Sequence, residues 1–245
     1  MILTLSHSDS YWLIGSDLSN ALASSIETPT LAVSTVIFTL RPNQDGCLQL
    51  ATPLVRRIRA PFEGQWALPG GPLQVDEDLA TSASHTLRDT TGLEPRYLEQ
   101  LYAFGSVDRA GGNPAERVVS IVYWALVGAD EAELAIDSEN VKWFFADELP
   151  SLAFDHNEIV DYALGRLRNK LEYSRIAHVF LSETFTLAQL REVYEAVLGR
   201  ELDPGNFRRM VESTGTVEET GERLAGTRHR PPKLYRATVQ PGETK

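Results

Sequence analysis

The chain has 245 residues, 42% apolar and 23% charged, which fits one or two packed domains and excludes a fully disordered, collagen-like or coiled-coil protein. Its longest nearly uncharged apolar run, Leu31 to Leu40, is ten residues, far short of the roughly 20 needed to span a bilayer, so no membrane partner is expected. The net charge of −11, taken as an average, argues against a nucleic-acid partner.

Residues 1–28 form a Ser-rich extension without a clear period, closed by Pro29, and no role is assigned to them. No basic stretch precedes the apolar residues of Met1 to Leu5, so no secretory signal is expected and a cytoplasmic location is predicted. From Thr30 the pattern turns β-rich: Leu31 to Leu40 predicts a buried strand, Asn43 to Gly46 a turn, and Leu48 to Val55 the second arm of a hairpin. Cys47 is the sole cysteine, so neither an intrachain disulfide nor a cysteine zinc site can form, and it reads as a small core residue. Beyond Gly70 and Gly71, Leu79, Ala83 and Leu87 recur every four residues and Gly92 stands where a helix would stop, predicting one helix on a mixed sheet. Tyr97 to Phe104, Val118 to Val127 and Lys142 to Phe145 predict further strands, which makes residues 29–154 an α/β or α+β domain.

In residues 155–172, Ile159, Tyr162, Ala163, Leu167 and Leu171 follow a helical period, predicting a linker helix to a second domain at residues 173–240. Thr186 and Gln189 form a capping box, Phe185 and Leu190 a hydrophobic staple, and Gly199 a stop. Asp203 with Pro204 opens another helix, expected to bury Phe207, Met210 and Val211 and to end near Gly215. Val217 to Glu219 and Leu234 to Val239 then read as strands around a loop from Gly221 to Pro232. Helix, helix, hairpin is the order of a winged helix-turn-helix. The charge supports it: residues 173–245 hold 11 basic against 10 acidic residues, while all the excess acid lies before them. Asn206, Arg209 and Ser213 share a helix stripe with Arg208 beside it, suited to base edges and phosphates. Arg223, Arg228, His229, Arg230 and Lys233 surround the loop and suit a wing lying along the DNA backbone.

In the first domain, the segment from Gly71 to Leu93 aligns without gaps on the Nudix box, G-x5-E-x7-R-E-U-x-E-E-x-G-U, in which U is aliphatic. Gly71, Glu77, Leu87, Gly92 and Leu93 match, whereas His85 and Thr86 replace the Arg-Glu pair and Asp89 and Thr90 the Glu-Glu pair. Positions 86, 89 and 90 share one helix face, where carboxylates would converge on Mg²⁺ ions bridging a diphosphate. Here the face offers Asp89 and two neutral hydroxyls, poor ligands for a hard dication. Pyrophosphate hydrolysis is therefore not expected, and no catalytic residue or metal ligand is assigned. Glu77 reads as a remnant of the frame or a structural hydrogen-bond acceptor, and His85 as an exposed helix residue. Trp66 to Gly71 resembles the approach to a Nudix box, and Phe104 to Arg109 a loop of ADP-ribose-type Nudix domains. Arg56, Arg57, Arg109 and Arg117 are candidates to pair with phosphates, with Trp66 or Phe62 to stack on or pack near a base. Each also has a plain alternative, a solvated surface charge or a core aromatic.

The order of parts resembles the Nudix-related transcriptional regulators of the NrtR type. The stretches Leu152 to His156, Lys170 to Tyr173, Phe185 to Tyr194 and Asn206 to Arg209 carry the likeness alongside the box. The resemblance implies an α+β protein, with an N-terminal Nudix-like α/β/α sandwich built on a mixed sheet and a C-terminal winged helix-turn-helix. It also implies a homodimer that binds a palindromic DNA operator and represses NAD-biosynthesis or related genes, with ADP-ribose or a related nucleotide as effector and no required cofactor. The departures at His85, Thr86 and Thr90 count against Mg²⁺-assisted ligand binding. Competing readings are an active Nudix hydrolase of ADP-ribose-like nucleotides, a nucleotide-binding protein whose winged helix contacts protein, and a regulator that answers to a sugar or sugar phosphate.

Overall fold

The computed structural model describes residues 28–92, 94–109, 117–128, 139–173, 176–225 and 231–238. Residues 1–27, and the candidate DNA contacts Arg228, His229 and Arg230, lie outside the described residues.

The apolar run after Thr30 forms β1 (Thr30–Pro42), the spine of a mixed seven-stranded sheet. Its first part pairs parallel with β6 (Val118–Leu126). Its end turns through an Asn43 side-chain cap into antiparallel β2 (Leu48–Arg56). Two short strands, β3 (Trp66–Ala67) on β2 and β4 (Gly70–Pro72) on β1, sit where the sequence shows only a Gly-Gly break. Strand β5 (Tyr97–Phe104) borders β6 and β7 (Val141–Phe145) borders β2.

Alternation along β1 sends side chains to two faces, the expected consequence of a period of two. On one face Ile37 packs with Leu87, and Val33 with Ala83, of α1 (Leu79–Thr91). On the other, Val36, Phe38 and Leu40 pack with Trp124 and with Ile159, Ala163 and Leu167 of α2 (His156–Tyr173). The sheet is thus sandwiched between helices, as the resemblance implies. Helix α1 starts at Asp78, whose side chain accepts from the Thr81 N–H, and ends at left-handed Gly92.

The second domain follows a 3-10 turn, Ile176–Phe180. Helix α3 (Leu187–Leu198) carries both halves of the Thr186–Gln189 capping box, and α4 (Pro204–Thr214) is capped by Asp203. Strands β8 (Val217–Arg223) and β9 (Lys233–Ala237) form the wing. The core does not stop at the domain boundary. Leu40 and Leu50 of the sheet, Leu167 and Leu171 of α2, and Leu190, Val193, Phe207 and Tyr235 of the winged helix belong to one buried cluster.

Three expectations need correcting. Cys47 is exposed, because the turn that follows β1 carries it into solvent. Met210 is 39% exposed, since Phe207 and Val211 already fill the buried stripe of α4. Strand β8 runs beyond Glu219 to Arg223, because a bulge containing left-handed Gly221 lets pairing resume at Arg223 and Lys233.

Candidate functional site

A cavity of about 290 Å³ opens where β1, β4 and β6 meet the start of α2. Its floor is sheet. Ser34 on β1 and Ser120 on β6 share a buried hydroxyl contact of 2.9 Å. Gly70 lies opposite Ser34. A Cβ on it would come within 2.6 Å of the Val33 carbonyl oxygen and 2.9 Å of Ser34 Cα, so only glycine lets β4 approach this closely.

The cations come from loop and strand ends. Arg57, one residue past β2, donates from Nε to the Pro61 carbonyl (2.8 Å), and its guanidinium carbon stands 4.6 Å from the centre of the Phe154 ring. Burial lowers the Arg57 pKa from its ordinary value. Arg109 is 5% exposed and donates from Nε to Asp155 Oδ1 at 2.6 Å. Its guanidinium carbon lies 5.9 Å from the same ring.

Phe154 has φ 56° and Phe62 has φ 65°, the two non-glycine residues with positive φ among the described residues, and their rings meet edge-on at 4.8 Å. Such conformations persist only where surroundings over-determine them. Here the Ala153 N–H donates to the Trp66 carbonyl (2.8 Å), and Asn157 ties the Leu152 N–H to the Pro150 carbonyl. His156, the first residue of α2, is 5% exposed, and its Nδ1 accepts the Leu68 N–H at 2.9 Å. Burial first, then the positive charges of Arg109 and Arg57, push its pKa down to about 3. Among the described residues no carboxylate lines the cavity. Two guanidiniums, a neutral imidazole and the hydroxyls of Thr30, Ser34 and Ser120 make a site suited to an anionic, oxygen-rich ligand.

Of the six candidate ligand residues, Arg57 and Arg109 line this cavity together. Arg56 points elsewhere, with Nε 3.3 Å from the Gly64 carbonyl, because adjacent strand residues face opposite ways. Arg117 sits next to Val118 of the lining and donates to the Gly105 carbonyl at 3.4 Å. Phe62 braces Phe154 from behind. Trp66 packs edge-on against Phe144 at 5.2 Å and holds the Leu152–Ala153 backbone, so it buttresses the site without lining it. Phe154, His156, Ser34 and Ser120 were not singled out by sequence reasoning. The stretch from Leu152 to His156 carried the family likeness, but a lone histidine in it announces no role.

On the Nudix helix, His85 Nδ1 lies 2.7 Å from Glu77 Oε1, so Glu77 serves as an acceptor for His85. Thr86 and Thr90 bring hydroxyls and Asp89 one exposed carboxylate. Among the described residues no three of His, Cys, Asp and Glu come together as metal ligands. This donor set does not fit a Mg²⁺ cluster.

The winged helix presents Asn206, Arg208, Arg209 and Ser213 on the exposed side of α4, opposite buried Phe207 and Val211. Each cation has a local partner: Arg208 pairs with Glu212 (2.8 Å), Lys233 with Glu219 (2.6 Å), and Arg209 with Asn206. Arg223 donates to the Pro231 carbonyl at 2.8 Å. The structure adds Arg236, paired with Glu218 (2.5 Å), and Arg191, which lines a surface hollow of about 390 Å³ with Thr186, Arg208 and Lys233. That hollow lies beside the N-terminus of α3, where the helix dipole favours an anion.

Comparison with known proteins bears on both parts of the chain. Residues 30–163 match the NUDIX domain, and residues 178–237 match the NrtR DNA-binding winged helix domain. The chain is 34% identical over 219 residues to the ADPR responsive transcriptional repressor NtrR of Acinetobacter baylyi, covering 87% of this chain and 84% of that protein. It is also 34% identical over 110 residues to an ADP-ribose pyrophosphatase of Methanocaldococcus jannaschii, covering 44% of this chain and 63% of that one. Among solved structures it is similar to Shewanella oneidensis NrtR complexed with a 27mer DNA, with TM-score 0.71, 34% identity, and coverage of 85% of this chain and 93% of that one. A Nudix domain joined to this particular winged helix, matched along most of its length by a repressor of the same arrangement, shows that the chain belongs to the NrtR family.

Proposed function

We propose that this protein is a DNA-binding transcriptional repressor of NAD-biosynthesis or related genes. Its Nudix pocket binds ADP-ribose or a related nucleotide, and binding changes its affinity for a palindromic operator. The observation that carries the reading is the continuity of pocket and winged helix. Phe154 and His156, which line the pocket, lead directly into α2. Near the other end of α2, Arg168 donates from Nε to the Val197 carbonyl of α3 (2.9 Å) and from a terminal nitrogen to Asp147 of the first domain (3.0 Å). Tyr194 of α3 donates to the Leu171 carbonyl at 3.3 Å.

A ligand alters DNA affinity only by favouring one arrangement of the domains over another. One helix that joins the pocket to α3 of the winged helix is a direct means of doing so. In a homodimer, a small shift in the separation of two recognition helices spoils their register on a palindrome. The chemistry proposed is binding without hydrolysis and without dependence on Mg²⁺, supported by the hydroxyls at Thr86 and Thr90 and the Glu77–His85 pair. A regulator of this kind works in the cytoplasm, beside the DNA.

Selection of bound sequences from random duplex DNA, with and without ADP-ribose, tests the reading. A palindrome enriched by the protein and lost on adding ADP-ribose is expected. A palindrome indifferent to ADP-ribose would retain the regulator and replace the effector, with a sugar phosphate next to try. Release of AMP from ADP-ribose with Mg²⁺ and no DNA selectivity would instead establish a hydrolase.

A further inference from the structure

We propose that His156 is a ligand-contacting, specificity-determining residue of the pocket, whose Nε2–H donates to an oxygen of the phosphate-bearing ligand held between Arg57 and Arg109. The inference rests on the nucleotide-sensing reading and adds to it a residue, an atom and a direction of donation.

A neutral imidazole has one N–H and one lone pair. Nδ1 accepts the Leu68 N–H, so the lone pair is on Nδ1 and the proton is on Nε2. Nε2 makes no hydrogen bond among the described residues, although the ring is 5% exposed and lines the cavity. Facing the cavity, this N–H is placed to donate to a ligand oxygen that takes the place of water there. The ring cannot turn freely to escape, being held by the Leu68 bond and packed on Phe154 at 5.3 Å. The charged groups around it are Arg57, Arg109 and Asp155, and Asp155 is engaged by Arg109. Burial and the two guanidiniums keep the ring neutral, with its pKa at about 3. The pocket thereby gains a third directional donor without a third positive charge. A ligand presenting an acceptor there is bound, and one presenting only a donor leaves two donors opposed.

Two substitutions separate the ligand contact from the structural one. His156→Asn places Oδ1 near the position of Nδ1, keeping an acceptor for Leu68, and has no atom to reach the ligand. His156→Gln places an amide N–H near the position of Nε2 and gives up the acceptor. By calorimetry, His156→Asn is expected to raise the Kd for ADP-ribose roughly 10- to 100-fold with little change in thermal midpoint. His156→Gln is expected to lower the thermal midpoint and keep most of the affinity. Wild-type affinity in folded His156→Asn would overturn the proposal.

A spectroscopic arm avoids mutation. In wild-type protein carrying ¹⁵N-labelled histidine, His156 should be the neutral Nε2–H tautomer from about pH 5 to 8, and its resonance should move when ADP-ribose or inorganic diphosphate is added. The Nδ1–H tautomer, or a resonance that neither probe moves, would overturn it. If the wild type fails to bind ADP-ribose, the nucleotide-sensing reading falls, and the diphosphate titration alone then decides on His156: a shift supports the contact and its absence rejects it.

Discussion

Arg109 in the pocket is 5% exposed and shares one carboxylate, Asp155, whereas Arg208 and Arg236 on the winged helix are 58% and 59% exposed and each carries a glutamate of its own. The difference separates two kinds of anion recognition. A cation stripped of water interacts strongly and directionally with what replaces the water, so geometry decides the ligand. An exposed pair is worth at most about 1 kcal/mol, so on the proposed reading Glu212, Glu218 and Glu219 would yield readily to DNA phosphates while lowering the net attraction for any polyanion. On the proposed reading the pocket selects its ligand by shape and donor placement. The DNA face is held in check by its own carboxylates, which suits a chain of net charge −11 that must still meet DNA.

The strongest way to break this contrast is Arg109→Met, which strands Asp155 in a site where its partner was buried. A loss of about 3–5 kcal/mol in urea unfolding is expected, with ADP-ribose binding abolished; a loss below about 1 kcal/mol would place the pair in the exposed class. Acidification is next. His156 is neutral in the folded protein down to about pH 3 and titrates near its ordinary value when unfolded, so the unfolded state takes up the extra proton between these limits. Its contribution is complete above about pH 6.5 and is lost as pH falls, at roughly 1.4 kcal/mol per unit. Wild-type stability should therefore drop more steeply than that of His156→Asn from about pH 6.5 to 4.5, and parallel curves would refute the assignment. On the DNA side, Arg209→Ala should cost about 1–3 kcal/mol in operator binding and relax the base preference; unchanged affinity and preference would remove α4 as the reading element. The smallest change is expected for Glu212→Gln. Freed of its pair, Arg208 should bind random duplex DNA more tightly by less than about 1 kcal/mol, with a steeper salt dependence.

The local signals in the chain were legible because they act over a few residues. Thr186 with Gln189, Asp203 with Pro204, and the glycines after α1, α3 and α4 mark helix ends by hydrogen bonds made within one turn. The Nudix frame was legible for the same reason, Gly71, Glu77, Leu87 and Gly92 falling within one strand, loop and helix. The pocket was legible only in part. In the sequence Arg57 and Arg109 are candidates on the same footing as Arg56 and Arg117, and nothing local separates Arg56 from Arg57 except which way the chain faces on leaving β2. Strands β3 and β4 are too short to show a period, and Phe154 and His156 lie in a stretch without one. Met210 was misplaced because the helical stripe does not say how wide the buried face must be.

Periodicity, caps and box spacing in the sequence thus determined a sandwiched sheet, a linking helix and a winged helix, since each depends on neighbours within a few positions. Tertiary structure alone brought Leu68 to His156, 88 residues away, and Arg109 to Asp155, 46 residues away. It also merged both domains into one buried cluster around α2. Contacts of that separation are set by how the elements pack, and the tautomer of His156 and the charge balance of the pocket follow from them.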